Sequence, residues 1–289
     1  ECKRNSTQAG YRPKYAQAQA ELRQSQRRNA HQFDASHWQL VEIYLRLHLS
    51  PQQVSDRLAL EGRLAISTET IYQYVYADKA QGGDLVSLLR CQKVRRKRYA
   101  SGHERRGVLK NRIGIEHRPA VVDLKRRIGD WEGDTVIGKG HKGALVTLVE
   151  RKSRYTLAHP LSSKHSAGVT QAIVELLRPH KKVCKTLTFD NGKEFAEHEF
   201  IGRCLGAKVY FAHPYCSWER GLNENTNGLL RQFFPKASSL LTVTKAHVDD
   251  AVYRLNHRPR KCLGYRTPHE VFYNLPVRPL TLHTVALCT

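Results

Sequence analysis

A chain of 289 residues with 48 Lys and Arg against 26 Asp and Glu carries a net charge of +22. That charge calls for a polyanionic partner, because each phosphate it neutralises releases condensed counterions. A hydrophobic share of 40% with 26% charged residues excludes wholesale disorder. No apolar run approaches the roughly 18 residues that span a bilayer and no secretory signal is visible, so a cytoplasmic setting without a membrane partner is expected.

Residues 1–35 are polar and basic and read as an N-terminal arm. Helical periodicity begins at Ser36, which is expected to form a capping box with Gln39 ahead of Leu40, Val41, Tyr44 and Leu45. Ser50-Pro51-Gln52-Gln53 is a second start signal, with Val54 and Leu58 lining the helix. Ser67 caps a third segment whose apolar face is Ile71, Tyr74 and Val75. Three short helices within 36–90, the last rich in Ser, Thr, Tyr and Gln, read as a small all-α helix-turn-helix DNA-binding domain. Residues 91–113 form a basic linker. There Arg95, Arg96, Lys97, Arg98, Arg105 and Arg106 are expected to grip phosphates without reading sequence.

From 114 to 280 the texture is that of an α/β domain. Strands are predicted over 135–137, 144–149 and 155–161, the last two joined by a hairpin. A helix with Val169, Ile173 and Leu177 on one face follows and closes before Pro179. Next come a strand over 186–189 leading into Asp190-Asn191-Gly192, a helix over 194–205 ended near Gly206, and a strand over 209–212. Helices are then predicted around Glu224, over 244–257 and from Thr267. Three strands, helix, strand, helix, strand, helix is the order of a ribonuclease-H-like fold, a five-stranded mixed sheet with helices. Residues 281–289 are a C-terminal tail.

Asp190 at a strand end, Glu224 on a helix and a third acid upstream are hard oxygen ligands on fixed elements. Such a set can hold two divalent cations roughly 3.5–4 Å apart for in-line displacement at phosphorus. The third acid is open among Asp130, Glu132 and Asp134, which share strand parity. Around Glu224, Asn223, Asn225 and Asn227 are poor helix-interior residues, which suggests side chains used for contacts to DNA or to the metal-site shell. Arg220 and Arg231 flank them, and Arg258, Arg260 and Lys261 form a further basic segment expected to position DNA. His257-Arg258-Pro259-Arg260 with Tyr265 and Tyr273 also hints at a tyrosine nucleophile, but no upstream Arg box accompanies it. Seven cysteines, odd in number and without a C-x-x-C pair, argue against a disulfide framework or a Cys-rich zinc site.

The blocks GDWEGDTVIGKG, TFDNGKEFAEH, HPYCSWERGLNENTNGLLRQFFPK and NHRPRKCLGYRTPHEVF resemble the insertion sequence 30 family of bacterial transposases along essentially the whole chain. The resemblance implies an integrase-type catalytic core with a DDE triad of Asp134, Asp190 and Glu224, and Mg²⁺ or Mn²⁺, two ions, as cofactor. It also implies double-stranded DNA as partner, both the element's terminal inverted repeats and the target, and a homo-oligomer in a nucleoid-associated synaptic complex. Cys216 stands where the family usually has Ser. The family carries another helix-turn-helix before the Cys2-Lys3-Arg4-Asn5 segment, so a chain that opens there is expected to lack it. A non-catalytic, DNA-binding copy is the alternative reading.

Overall fold

Local start signals set the helices of the N-terminal half. The computed structural model describes residues 6–7, 10–25, 33–89, 109, 111–214, 216–236 and 238–280. A short ribbon, β1 (Ser6–Thr7) and β2 (Gly10–Tyr11), precedes α1 (Pro13–Ser25). Three helices follow: α2 (Ala35–Arg46), α3 (Pro51–Leu60) and α4 (Thr68–Ala80). Ser50 caps α3 with Pro51 at its first turn and Gln53 closing the box, and Ser67 caps α4, as the sequence predicts. The α2 cap differs. Asp34, not Ser36, accepts from His37 N at 3.0 Å, and Ser36 donates to Asp34 instead. An aspartate two residues upstream offers a charged acceptor to the positive helix end and outcompetes the serine. Val41, Tyr44, Leu45, Val54, Leu58, Ile71 and Val75 bury against one another. Leu280 joins them from the far end of the chain. The basic residues Arg95, Arg96, Lys97, Arg98, Arg105 and Arg106, and the tail 281–289, lie outside the described residues.

The second half is one five-stranded sheet of order β5-β4-β3-β6-β7. Its strands are β3 (Asp130–Ile137), β4 (Ala144–Glu150), β5 (Thr156–Leu161), β6 (Thr186–Phe189) and β7 (Lys208–Phe211). The β3–β4–β5 meander is antiparallel, and β6 and β7 run parallel to β3 after helical crossovers. Strand β3 is longer than its predicted 135–137 and takes in the whole acidic stretch. Alternation explains this: Trp131 enters the core while Asp130 and Glu132 point to the other face, each with an arginine partner. The helix predicted over 194–205 resolves into a 3-10 turn at Lys193–Phe195 and α6 (His198–Leu205), closed by Gly206 in the left-handed conformation.

Helices cover both faces. On one side α5 (Ser166–Leu177) and α6 pack on Val146, Leu148, Leu187, Phe189, Val209 and Phe211. On the other, α7 (Gly221–Leu230) and α8 (Lys245–Asn256) bury Leu229, Leu230, Val248 and Leu255 against Val136, Leu145 and Ala158. The short α9 (Pro268–Phe272) starts with a Thr267–Glu270 capping box. No helix among the described residues is long and apolar enough to cross a membrane.

Gly133, in the middle of β3, has no room for a side chain. A Cβ there would lie 2.3 Å from Phe189 Cε1, and that ring is fully buried and stacked on Phe195. Gly133→Ala is therefore expected to destabilise the core by about 1–3 kcal/mol through overpacking, read as a lowered urea midpoint. An unchanged midpoint would show that the ring can yield.

Candidate active site

Sheet register builds the centre of the site. Glu132 pairs with Thr188 in the parallel β3–β6 ladder. Two residues further along each strand stand Asp134 and Asp190, with the same parity and therefore on the same face of neighbouring strands. Burial pushes the Asp134 carboxyl up from its usual range, Arg220 pulls it back, and the charge of Asp190 raises it again. One guanidinium joins the pair: Arg220 Nη2 lies 3.3 Å from Asp190 Oδ2, and Nη1 lies 3.7 Å from Asp134 Oδ1.

Helix α7 is docked on β3 by polar contacts. Asn223 Nδ2 donates to the Gly133 carbonyl at 3.2 Å, and Arg220 Nη1 donates to the same oxygen at 3.3 Å. Asn227 Nδ2 donates to Asp134 Oδ2 at 2.8 Å, while its Oδ1 accepts from Thr147 Oγ1 at 3.1 Å. The amide thus fixes one oxygen of Asp134 and is itself oriented by β4. Glu224, one turn before Asn227, is exposed on the same face of α7. It lines a groove with Thr135, Asn227, Arg231, Pro235 and Lys236. A second groove holds Asp134, Asp190, Lys164, His165, Lys193 and Glu194. Thr135 lines both grooves and donates to Glu194 Oε1 at 3.0 Å. Among the described residues no three His, Cys, Asp or Glu side chains converge on one point. The structure brings Asp134 and Asp190 together and sets Glu224 on the adjoining lip.

The other two acids of β3 are engaged elsewhere. Asp130 accepts two bonds from Arg127 and one from Thr186 Oγ1. Glu132, 2% exposed, pairs with Arg151, which is in turn bound to Asp123 together with Arg118. Neither lines the groove that Asp190 borders.

The remaining expected DNA contacts divide. Asn223 and Arg258 are 1% and 3% exposed, and each bonds within the fold, Asn223 to the Gly133 carbonyl and Arg258 to Gln232 Oε1. Asn227 bonds Asp134 and also lines the Glu224 groove. Arg231 spends Nη2 on the Ile137 carbonyl at 2.8 Å yet still borders the Glu224 groove. Arg260 donates to the Leu255 carbonyl, and Lys261 is exposed on the turn that follows. Tyr265 and Tyr273 line neither groove. Lys164, Lys193, Glu194 and Lys236 were missed by sequence reading. Lys193 and Glu194 directly follow Asp190-Asn191-Gly192 and could have been found there; Lys164 carries no local signal.

Sheet order and helical layers, together with a match of the integrase core domain model to residues 125–217, define the class: a ribonuclease-H-like integrase catalytic core, the scaffold of polynucleotidyl transferases. The chain is 42% identical over 274 residues to the transposase for insertion sequence element IS4351 of Bacteroides fragilis, covering 94% of this chain and 84% of that one. It is 37% identical over 242 residues to the transposase InsI of element IS30A of Escherichia coli K12, covering 80% of this chain and 63% of that one. The chain belongs to the insertion sequence 30 family of bacterial transposases, enzymes of DNA transposition. The solved catalytic core domain of BIV integrase aligns at 22% identity and a TM-score of 0.40, over 50% of this chain and 93% of that one.

Proposed function

We propose that this transposase cleaves DNA at the ends of its element and joins those ends to target DNA, with Asp134, Asp190 and Glu224 as its DDE triad. The observation that carries the reading is the pair Asp134, within β3, and Asp190, just past β6, each two residues beyond the Glu132–Thr188 ladder pair and on one face of the sheet, bordered by two cation-lined grooves. The donor set is all carboxylate oxygen on rigid elements, which fits two hard ions such as Mg²⁺ or Mn²⁺. When bound, such ions stabilise the attacking and leaving oxygens of an in-line displacement. The chain's own residues do the rest. Asp134 and Asp190 supply fixed oxygens from β3 and β6, and Asn227 holds the Asp134 carboxylate in its rotamer. Glu224 closes the set from α7. Arg231 and Lys236 on one groove, and Lys164 and Lys193 on the other, are placed to hold the phosphates of a strand laid across the centre. Water and then a freed 3′-hydroxyl act as nucleophiles, with no covalent protein–DNA intermediate.

Residues 36–90 serve as the DNA-reading unit with α4 as recognition helix, and 114–280 as the catalytic unit. The basic 91–113 stretch between them supplies positive charge for phosphate contacts. Two element ends held together call for more than one protomer, so the working form is a homo-oligomeric synaptic complex on nucleoid DNA. The test is cleavage of a duplex carrying the terminal inverted repeat in Mg²⁺ and in Mn²⁺. Metal-dependent cleavage by the wild-type chain that disappears in Glu224→Gln is expected. Equal cleavage by both would remove Glu224 from the triad, and binding without any cleavage would leave a DNA-binding chain only.

A further inference from the structure

Resting on the triad proposed above, we infer that Arg220 and a divalent cation are alternative occupants of the space between Asp134 and Asp190. Arg220 serves as an exchangeable counter-ion that yields to the metal and then takes a DNA phosphate.

The guanidinium is a permanent, donor-only cation with a planar fork. Here the two tines face two different carboxylates, and Nη1 also reaches the Gly133 carbonyl at 3.3 Å. Its grip is loose by the standard of this same protein. The separations of 3.3 and 3.7 Å compare with 2.6 Å for the buried Arg57–Glu270 pair, and charge-assisted bonds normally run at about 2.7–2.9 Å. The three side chains keep 13%, 19% and 27% of their surface in solvent, so none of them is sealed in the core. The backbone beneath is fixed. Arg220 is the residue before α7, and the preceding turn is tied by Glu219, which accepts from His213 N and pairs with His213 Nδ1, both at 2.8 Å. A swinging side chain on an anchored backbone is the arrangement an exchange needs.

A hard divalent ion needs its carboxylate oxygens at about 2.0–2.1 Å and carries twice the charge. The guanidinium cannot share that gap, because it would be both displaced from the oxygens and repelled. Once displaced it stands at the lip of the groove, where a phosphate offers the bidentate partner its fork matches.

The test is calorimetric titration of the DNA-free chain with Mn²⁺, comparing wild type with Arg220→Gln, Arg220→Lys, Asp190→Asn and the charge-matched surface control Arg203→Gln. Removing a competing pair of ion contacts is expected to make Arg220→Gln bind Mn²⁺ about tenfold more tightly. Arg203→Gln and Arg220→Lys should stay close to wild type, and Asp190→Asn should lose binding. Undiminished binding in Asp190→Asn would overturn the triad and this inference together. Lost binding in Asp190→Asn with unchanged or weaker binding in Arg220→Gln would overturn the exchange alone. The phosphate half has its own readout: in Ca²⁺, the salt dependence of duplex binding should fall by about one phosphate contact in Arg220→Gln. An unchanged slope would refute it.

Discussion

Asparagine in place of Asp190 is expected to slow end cleavage by at least ~10³-fold in saturating Mg²⁺ while leaving the fold intact. The substitution is isosteric and lies beyond the last ladder pair of β6, and the Gly192 N–H that bonds Asp190 Oδ1 at 2.9 Å can bond an amide oxygen equally well. What it removes is one full negative charge beside Asp134, on the face where the reacting phosphate is to be held. Glu194 is the informative companion. Its carboxylate reaches the same groove and takes the Thr135 hydroxyl, yet it comes from a 3-10 turn rather than a strand end. Glu194→Gln is expected to cost about tenfold or less, as a group that positions Thr135. Single-turnover cleavage of a pre-nicked and an intact terminal duplex would measure both, and a reversed order of severity would make Glu194 a triad member.

Replacing Arg57 by Met should destabilise the chain by about 3–5 kcal/mol at neutral pH. Arg57 is fully buried on α3 and makes five bonds: to Glu61, to both oxygens of Glu270, and to the carbonyls of Tyr265 and Arg278. Truncation leaves the carboxylates of Glu61 and Glu270 without the cation they share. For Glu270, burial pushes the carboxyl up, but bonds and charge from Arg57 and the Thr267 N–H bring it below its ordinary 4.5. A depressed pKa contributes stability that is complete above 4.5 and is lost as pH falls through the folded-state value. The Arg57→Met penalty should therefore be full at pH 7 and shrink below pH 4.5, as Glu270 takes a proton in wild type as well. The double variant with Glu270→Gln should lose less than the sum of its parts. Urea unfolding from pH 7 down to pH 3 checks all three, and a pH-independent penalty would mean that packing, not charge, is what Arg57 supplies.

What was legible in the sequence was what local chemistry decides. Ser50-Pro51-Gln52-Gln53 and Thr267-Pro268-His269-Glu270 are self-contained helix starts and form as read, whereas α2 moved because two cap candidates competed within three residues. The succession of strands and helices along the core was readable because most strands are apolar runs bounded by turns. The length of β3 was not: its acids look like loop until the arginines that neutralise them, on other elements, are in place. At the site, the unusual asparagines of α7 pointed to side chains used for contacts, to DNA or to the metal-site shell; which of these each one makes could not be read locally. Asn223 and Asn227 serve Gly133 and Asp134 because α7 lies on β3, a contact 90 or more residues away in sequence. Arg57 gave no signal at all, since an arginine on an amphipathic helix reads as surface until a partner 213 residues later closes over it.

That closure has a metric meaning. Arg57 to Glu270, Gln53 Nε2 to the Pro259 carbonyl at 2.7 Å and Leu280 N to the Tyr44 hydroxyl fasten the helical unit to the far end of the catalytic domain. With the reading and cutting roles proposed above, such a clamp would act as a ruler whose unit is the helical repeat of DNA. Inserting about five base pairs between the read sequence and the cut position turns the scissile bond to the opposite side of the duplex. Inserting about ten returns it to the correct side, one turn too far along.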